Sequence, residues 1–399
     1  MLSNYFKAFS FCLIFITSSF GVIAQSTYKD DLQVLYDAVK KTPSYRDQIT
    51  GQRKSEYDLQ FERLKIESVQ LNPFDSLYKL SSLLWPIKDN HLGLYQVSNK
   101  EISVRKRYPI PAINLDSLEE QLVSKPLNGA EGIYYQGDRF KIGVYSTSNK
   151  DSLIGIVLSS SLPIWSNGEM AVLLVRSKQD GYKGVYANLY NKDLFFVRNE
   201  KLINGKLLFG SKRGAPVNYA SLLDKPNFEL KTLRPEIQYL RLSSFRTSNI
   251  DVKKAEVFYD RIKDSLTSKN LIVDIRNNPG GGFKSSGMFL SLLKKYAEDC
   301  KVLIIVNRQT YSNAEQFVLK LKGHKNVVVL GETTNGTLTY GNNFGNSVKL
   351  PSGKYTFYIT DMKDSGNYLP YEEIGVEPDL KLSPGSDWIE QVTAIILNK

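Results

Sequence analysis

Apolar residues recur at helical spacing through the first part of the chain: Leu32, Leu35 and Val39, then Tyr57, Phe61 and Leu64, then Leu77, Leu80 and Leu84. Recurrence every three to four residues predicts amphipathic helices, and residues 25–100 read as a helical domain. The run closes at Trp85-Pro-Ile-Lys-Asp-Asn-His91, where the proline and the Asp-Asn pair predict a turn into a short strand over Leu92 to Val97. From about Glu101 to Lys231 the pattern changes to short runs such as Ile154-Gly-Ile-Val-Leu158 and Ala171-Val-Leu-Leu-Val175, separated by Gly, Asn, Asp and Lys. Hairpin patterning of this kind predicts a β-rich domain over 101–231. Beyond it, strand-like and helical stretches alternate: Ile237 to Leu242, Asp251 to Leu266, Leu271 to Ile275, Lys284 to Tyr296, Val302 to Val306, Asn313 to Leu321 and Val327 to Leu330. Alternation predicts an α/β core over 232–399 with parallel strands and crossover helices. The runs at 271 and 302 are almost continuously apolar, as expected of strands covered on both faces. Functional loops are then expected at the carboxyl ends of the strands.

Composition narrows the class. Residues 1–24 carry one lysine, Lys7, an apolar run from Phe9 to Ile23 and the small-residue exit Val22-Ile23-Ala24, which reads as a secretory signal peptide. The apolar run is shorter than the roughly 20 residues a spanning helix needs. Export to the periplasm or the exterior is therefore expected, with no membrane span once the signal is removed. Cys12 would leave with the signal and Cys300 would remain alone, so no intramolecular disulfide is expected. The formal net charge is +11, and losing Lys7 lowers it by one, to +10. The basic residues are scattered, which favours a solvated surface over a nucleic-acid footprint. Zinc-type Cys/His spacing is missing, and neither a metal nor an organic cofactor is expected.

Two stretches carry the chemistry. In Leu271-Ile-Val-Asp-Ile-Arg-Asn-Asn-Pro-Gly-Gly-Gly282 a buried-strand run breaks into a glycine turn, and Thr310-Tyr-Ser-Asn-Ala-Glu315 places a serine at a helix start. Ser312-x-x-Glu315 is by itself a capping box, and the glycines by themselves make a strand-to-helix turn. Their positions add meaning: a helix N-terminus favours developing negative charge, and residues without Cβ let backbone N–H groups approach an acyl oxygen. Ser312 is thus the candidate nucleophile, with the amide of Gly280 or Gly281 and that of Asn313 as candidate oxyanion donors. A serine nucleophile needs a base, and the chain holds two histidines, His91 and His324. His324 lies in the polar loop Lys322-Gly-His-Lys-Asn326 and reads as solvated, whereas His91 enters a strand from a turn. No distinctive acidic pair recommends a glycosidase.

With Tyr239 to Phe245, Gly331-Glu-Thr-Thr-Asn-Gly336 and Glu372-Glu-Ile-Gly-Val-Glu-Pro-Asp379, these stretches follow one another as do the blocks of the tail-specific, or C-terminal processing, serine peptidases. The resemblance covers about residues 235 to 385 and extends to Asp89-Asn-His91. It implies a catalytic core of the Clp protease and crotonase type, and a protein or peptide substrate. The branch with a Ser–Lys dyad has a lysine after the Gly-Glu-x-Thr-x-Gly block, where this chain has Thr337. In the branch similar to the tricorn core and the retinoid-binding-protein-like modules, the base is the histidine of the Asp-x-His element and a glutamate helps align the site. That implies His91 and Glu372, with Glu373 adjacent. A peptide-binding PDZ pattern is not visible in the middle region. The rival expectation is a non-catalytic family member that binds a peptide, polymer or small apolar ligand in the same cleft; the sequence leaves the oligomeric state open.

Overall fold

The computed structural model describes residues 27–67, 71–97, 107–108, 113–177, 181–216, 219–220 and 226–398. The expected signal peptide, 1–24, lies outside them. Four helices open the described chain: α1 (Tyr28–Val39), α2 (Pro43–Gln48), α3 (Gln52–Ile66) and α4 (Pro73–Ser82). Their starts follow local chemistry. Thr27, Thr42 and Asn72 accept N–H groups of the first turns of α1, α2 and α4, and proline occupies the opening turn of α2 and of α4, where its missing N–H costs nothing. Strand β1 (Gly93–Gln96) follows, then α5 (Leu115–Val123).

A meander comes next, made of β2 (Gly132–Gln136), β3 (Phe140–Ser146), β4 (Ser152–Ser160), β5 (Met170–Arg176), β6 (Tyr182–Ala187), β7 (Leu194–Glu200), β8 (Lys206–Leu207) and β9 (Gly210–Ser211). The last segment holds β10 (Phe228–Arg234), β11 (Ile237–Leu242), α6 (Asn249–Ile262), β12 (Asn270–Asp274), α7 (Phe283–Tyr296), β13 (Lys301–Val306), α8 (Asn313–Leu321) and β14 (Val327–Gly331). It ends with β15 (Tyr340–Gly341), β16 (Ser347–Lys349), β17 (Tyr355–Tyr358), β18 (Met362–Lys363), β19 (Leu380–Lys381) and α9 (Trp388–Leu397).

These strands build two large sheets. One has the order β10-β11-β12-β13-β14-β19, parallel from β11 onward, with Val273 beside Ile304 and Ile304 beside Val329. Helices α6, α7 and α8 cover one face through Phe258, Phe289 and Phe317; α9 covers the other through Trp388 and Val392. The α/β expectation is borne out.

The other sheet has the order β16-β17-β1-β7-β6-β5-β4-β3-β2-β9-β8. Helices α1, α3 and α4 share one core with it, joining Leu32, Leu35, Phe61, Leu77 and Leu80 to Val144, Val157, Leu174 and Phe357. Strands β16 and β17 come from the far end of the chain yet extend this sheet, with Leu94 of β1 opposite Phe357 of β17. The first and last thirds of the sequence are thereby woven together.

Candidate active site

The carboxyl ends of β12 and β13 are tied to each other by Asn307. Its Oδ1 accepts the N–H groups of Asn277 and Gln309 at 3.0 and 3.1 Å, and its Nδ2 donates to Asn277 Oδ1 at 2.6 Å and to the Ala220 carbonyl at 2.8 Å. Buried Thr310 adds a hydroxyl bond to the Ile275 carbonyl at 3.1 Å. The glycine loop and the Ser312 turn therefore move as one body.

Ser312 has φ 53 and ψ −126. Positive φ is rare for a residue with a side chain and costs about 1–3 kcal/mol, so the strain must be held by neighbours. Glu315 holds it. Only the glutamate half of the expected capping box is made: Ser312 N–H donates to Glu315 Oε2 at 3.0 Å, while the Glu315 N–H donates to the Ser312 carbonyl at 2.9 Å and the serine hydroxyl makes no cap hydrogen bond.

The glycine loop leans directly on this turn. A Cβ at Gly280 would lie 2.9 Å from Ser312 Cβ and 2.8 Å from the Asn313 nitrogen. The Gly280 N–H is already engaged, donating to Asn278 Oδ1 at 2.8 Å. Among the described residues, the N–H groups of Gly281 and Asn313 donate to no acceptor. At Gly281, with φ 141, a Cβ would fall 1.8 Å from the Phe245 carbonyl oxygen, so only glycine fits.

Glu315 and Glu372, both buried, divide the segment 334–339 between them. Glu315 accepts the Thr334 hydroxyl at 2.5 Å and the N–H groups of Gly336 and Thr337 at 2.7 and 2.9 Å. Glu372 takes the next two amides, Leu338 and Thr339, each at 2.8 Å, on Oε2, and receives Asn90 N–H on Oε1 at 2.8 Å. Asn90 Nδ2 completes the clamp by donating to the Gly336 carbonyl at 2.8 Å. The turn that carries His91 and the turn that carries Ser312 are thus fastened to opposite ends of one short segment. Thr337 donates its hydroxyl to Asn335 Oδ1.

His91 is held through its N–H, which donates to Asp89 Oδ1 at 3.1 Å; Asp89 Oδ2 accepts the Thr360 hydroxyl at 2.6 Å. The imidazole is half-buried, with Nδ1 sealed from solvent and without a hydrogen-bond partner. Its exposure therefore comes from the rest of the residue. Glu373 is drawn elsewhere: Arg198 of β7 pairs with its carboxylate at 2.5 Å and also donates to the carbonyls of Leu84 and Ile87. His324 sits in an exposed loop.

Residues 291–382 match the model of peptidase family S41. This segment belongs to peptidase family S41. The expected serine-type peptidase, a hydrolase, is borne out at that level, as is the resemblance to the tail-specific peptidases. The S41 segment takes in Ser312, the 334–339 stretch and Glu372, while the glycine loop and His91 lie outside it. No curated protein matches the chain. Among solved structures, similarity extends to a candidate peptidase from Parabacteroides merdae, at 16% identity and a TM-score of 0.44 over 93% of this chain and 97% of the other. A photosystem II D1 C-terminal processing protease has 16% identity and a TM-score of 0.38 over 93% and 97%. The tricorn protease has 14% identity and a TM-score of 0.41 over 93% of this chain and 37% of its own.

Electrostatics in and around the S41 segment follow from burial. Desolvation pushes the Glu315 carboxyl up to about 7 against the pull of its donors, and raises Glu372 and Asp89 as well. Burial lowers His91 below its ordinary value, opposed by the Glu372 and Asp364 carboxylates. A histidine depressed in this way is neutral near pH 7 and free to accept a proton. Among the described residues no group of His, Cys, Asp and Glu could hold a metal ion, and no helix is long and apolar enough to cross a membrane.

Several residues of this arrangement escape a reading by motif. Asn278 and Asn307 look like ordinary turn residues, although Asn278-x-Gly280 is a recognisable Asx-turn pattern. Glu315 reads only as a capping partner, since its hold on 334–337 spans a loop. No sequence signal points to Gln316, Asp364 or Arg198.

Proposed function

We propose that the chain is an exported serine endopeptidase in which Ser312 is the nucleophile and His91 the general base. Ser312 Oγ attacks the scissile carbonyl carbon as His91 takes its proton; the proton then passes to the leaving amine, and water repeats the sequence to free the acyl group. The amides of Gly281 and Asn313 receive the oxyanion, a contribution of about 3 kcal/mol per donor. Gly280 supports them from below, its own N–H being committed to Asn278. Glu372 acts through the backbone as a positioning residue, holding Asn90 beside the base.

The observation that carries this reading is the pair of uncommitted amides, Gly281 and Asn313, flanking a serine held at positive φ. Strain of that kind is kept where chemistry requires it. Periplasmic or extracellular residence is part of the proposal and rests on the character of residues 1–24.

A serine-reactive fluorophosphonate should label Ser312 in the purified mature protein, with labelling lost in His91→Ala. Turnover of an unfolded protein should vanish in Ser312→Ala. A folded protein that stays unlabelled and hydrolyses nothing, yet binds a peptide or apolar ligand, would instead be a binding member of the family. Fractionation of the producing cells tests export directly.

A further inference from the structure

A cavity of about 440 Å³ is lined by Thr339, Lys363, Asp364, Ser365, Asn367 and Tyr368. Its size lies within the roughly 300–1,000 Å³ of small-ligand pockets. Asp364 places a carboxylate in its wall. Gln316 Nε2 donates to Asp364 Oδ2 at 2.7 Å and to the Leu338 carbonyl at 2.7 Å, and Asp364 N–H donates to the Thr339 carbonyl at 2.8 Å. Gln316 is one helical turn beyond Ser312, and the Asp364 charge is felt by His91. The cavity therefore borders the place where a bound polypeptide would be cut.

The wall carries a carboxylate without a counter-charge. Among the described residues no lysine or arginine pairs with Asp364; its neighbour Lys363 is bound to Asp47 at 2.7 Å. A cationic group in the cavity would give Asp364 a counter-charge. A neutral side chain entering there would strip water from the carboxylate and return nothing.

We infer that this cavity is a specificity pocket for a lysine or arginine side chain of the polypeptide substrate. The inference rests on the peptidase reading and deepens it. The test uses peptides identical except for lysine, norleucine or glutamate at one position, moved stepwise along the sequence. Cleavage is followed with the wild-type protein and binding with Ser312→Ala. At one register lysine should exceed norleucine by roughly tenfold or more, the scale of a charge-assisted pair. Asp364→Asn, which keeps an acceptor for Gln316, should bring that ratio near one. Equal handling of lysine and norleucine at every register overturns the assignment, as does a ratio that survives Asp364→Asn. If the wild type cleaves nothing while Ser312→Ala still selects lysine through Asp364, the pocket stands and the hydrolytic reading falls.

Discussion

Glu315 concentrates the logic of the site in one side chain. Its two oxygens accept four donors: the Ser312, Gly336 and Thr337 amides and the Thr334 hydroxyl. Glu315→Gln turns one of those oxygens into a donor facing donors. It should cost about 1–3 kcal/mol of stability in urea unfolding, and roughly 10²-fold in turnover through displacement of Ser312. Gly280→Ala is a second probe, because its methyl would press on the Tyr311 carbonyl, Asn313 N and Ser312 Cβ. It should abolish fluorophosphonate labelling while leaving a folded protein by circular dichroism. His91 supplies a pH test. Its folded pKa is below the ordinary value near 6.5, so the neutral, active form persists into acid. The acid limb of kcat/KM should have its midpoint below about 6.5, and a midpoint above that would count against His91 as base. The matching stability term has the same sign: the unfolded chain binds the proton more readily, so His91's contribution is present above about pH 6.5 and lost as pH falls.

Among the elements, Arg198 of β7 braces the chain leading into the His91 turn. Its guanidinium is nearly buried and joins Glu373 to the carbonyls of Leu84 and Ile87. Arg198→Met should cost about 3 kcal/mol and lower kcat more than it raises KM, since the turn and not a substrate contact is disturbed. Legibility follows the range of the interactions. Helices α1, α3, α4 and α8 and strands β11 to β14 could be read from periodicity, because a buried face imposes its repeat on nearby residues. Ser312, the glycines and His91 could be nominated from the sequence because the proposed chemistry restricts residue type. The brace at Arg198, the division of 334–339 between Glu315 and Glu372, and the docking of β17 on β1 join residues far apart in sequence, and no local pattern encodes them. Positive φ marks the same places: of the five non-glycine residues with it among the described residues, Asn277, Ser312 and Glu373 all flank the candidate site.

For the whole molecule, the decisive feature is the exchange of β16 and β17 into the sheet that begins with β1. A fragment spanning 232–399 would keep the parallel sheet but leave β17 without its partner, with Phe357 and Tyr355 uncovered. It should therefore aggregate, or melt without a cooperative transition in calorimetry, and adding the complementary fragment 27–231 should restore a cooperative melt. The same weave orders events in time. Asn90 and Glu372, which grip one another beside the proposed base, stand 282 residues apart. On the proposed roles, a chain emerging from the ribosome or threading a membrane from its N-terminus carries His91, the proposed base, long before Ser312, the proposed nucleophile, and both before Glu372. Cutting power would then be withheld until nearly the last residues are delivered, so the path of synthesis itself acts as the safety catch.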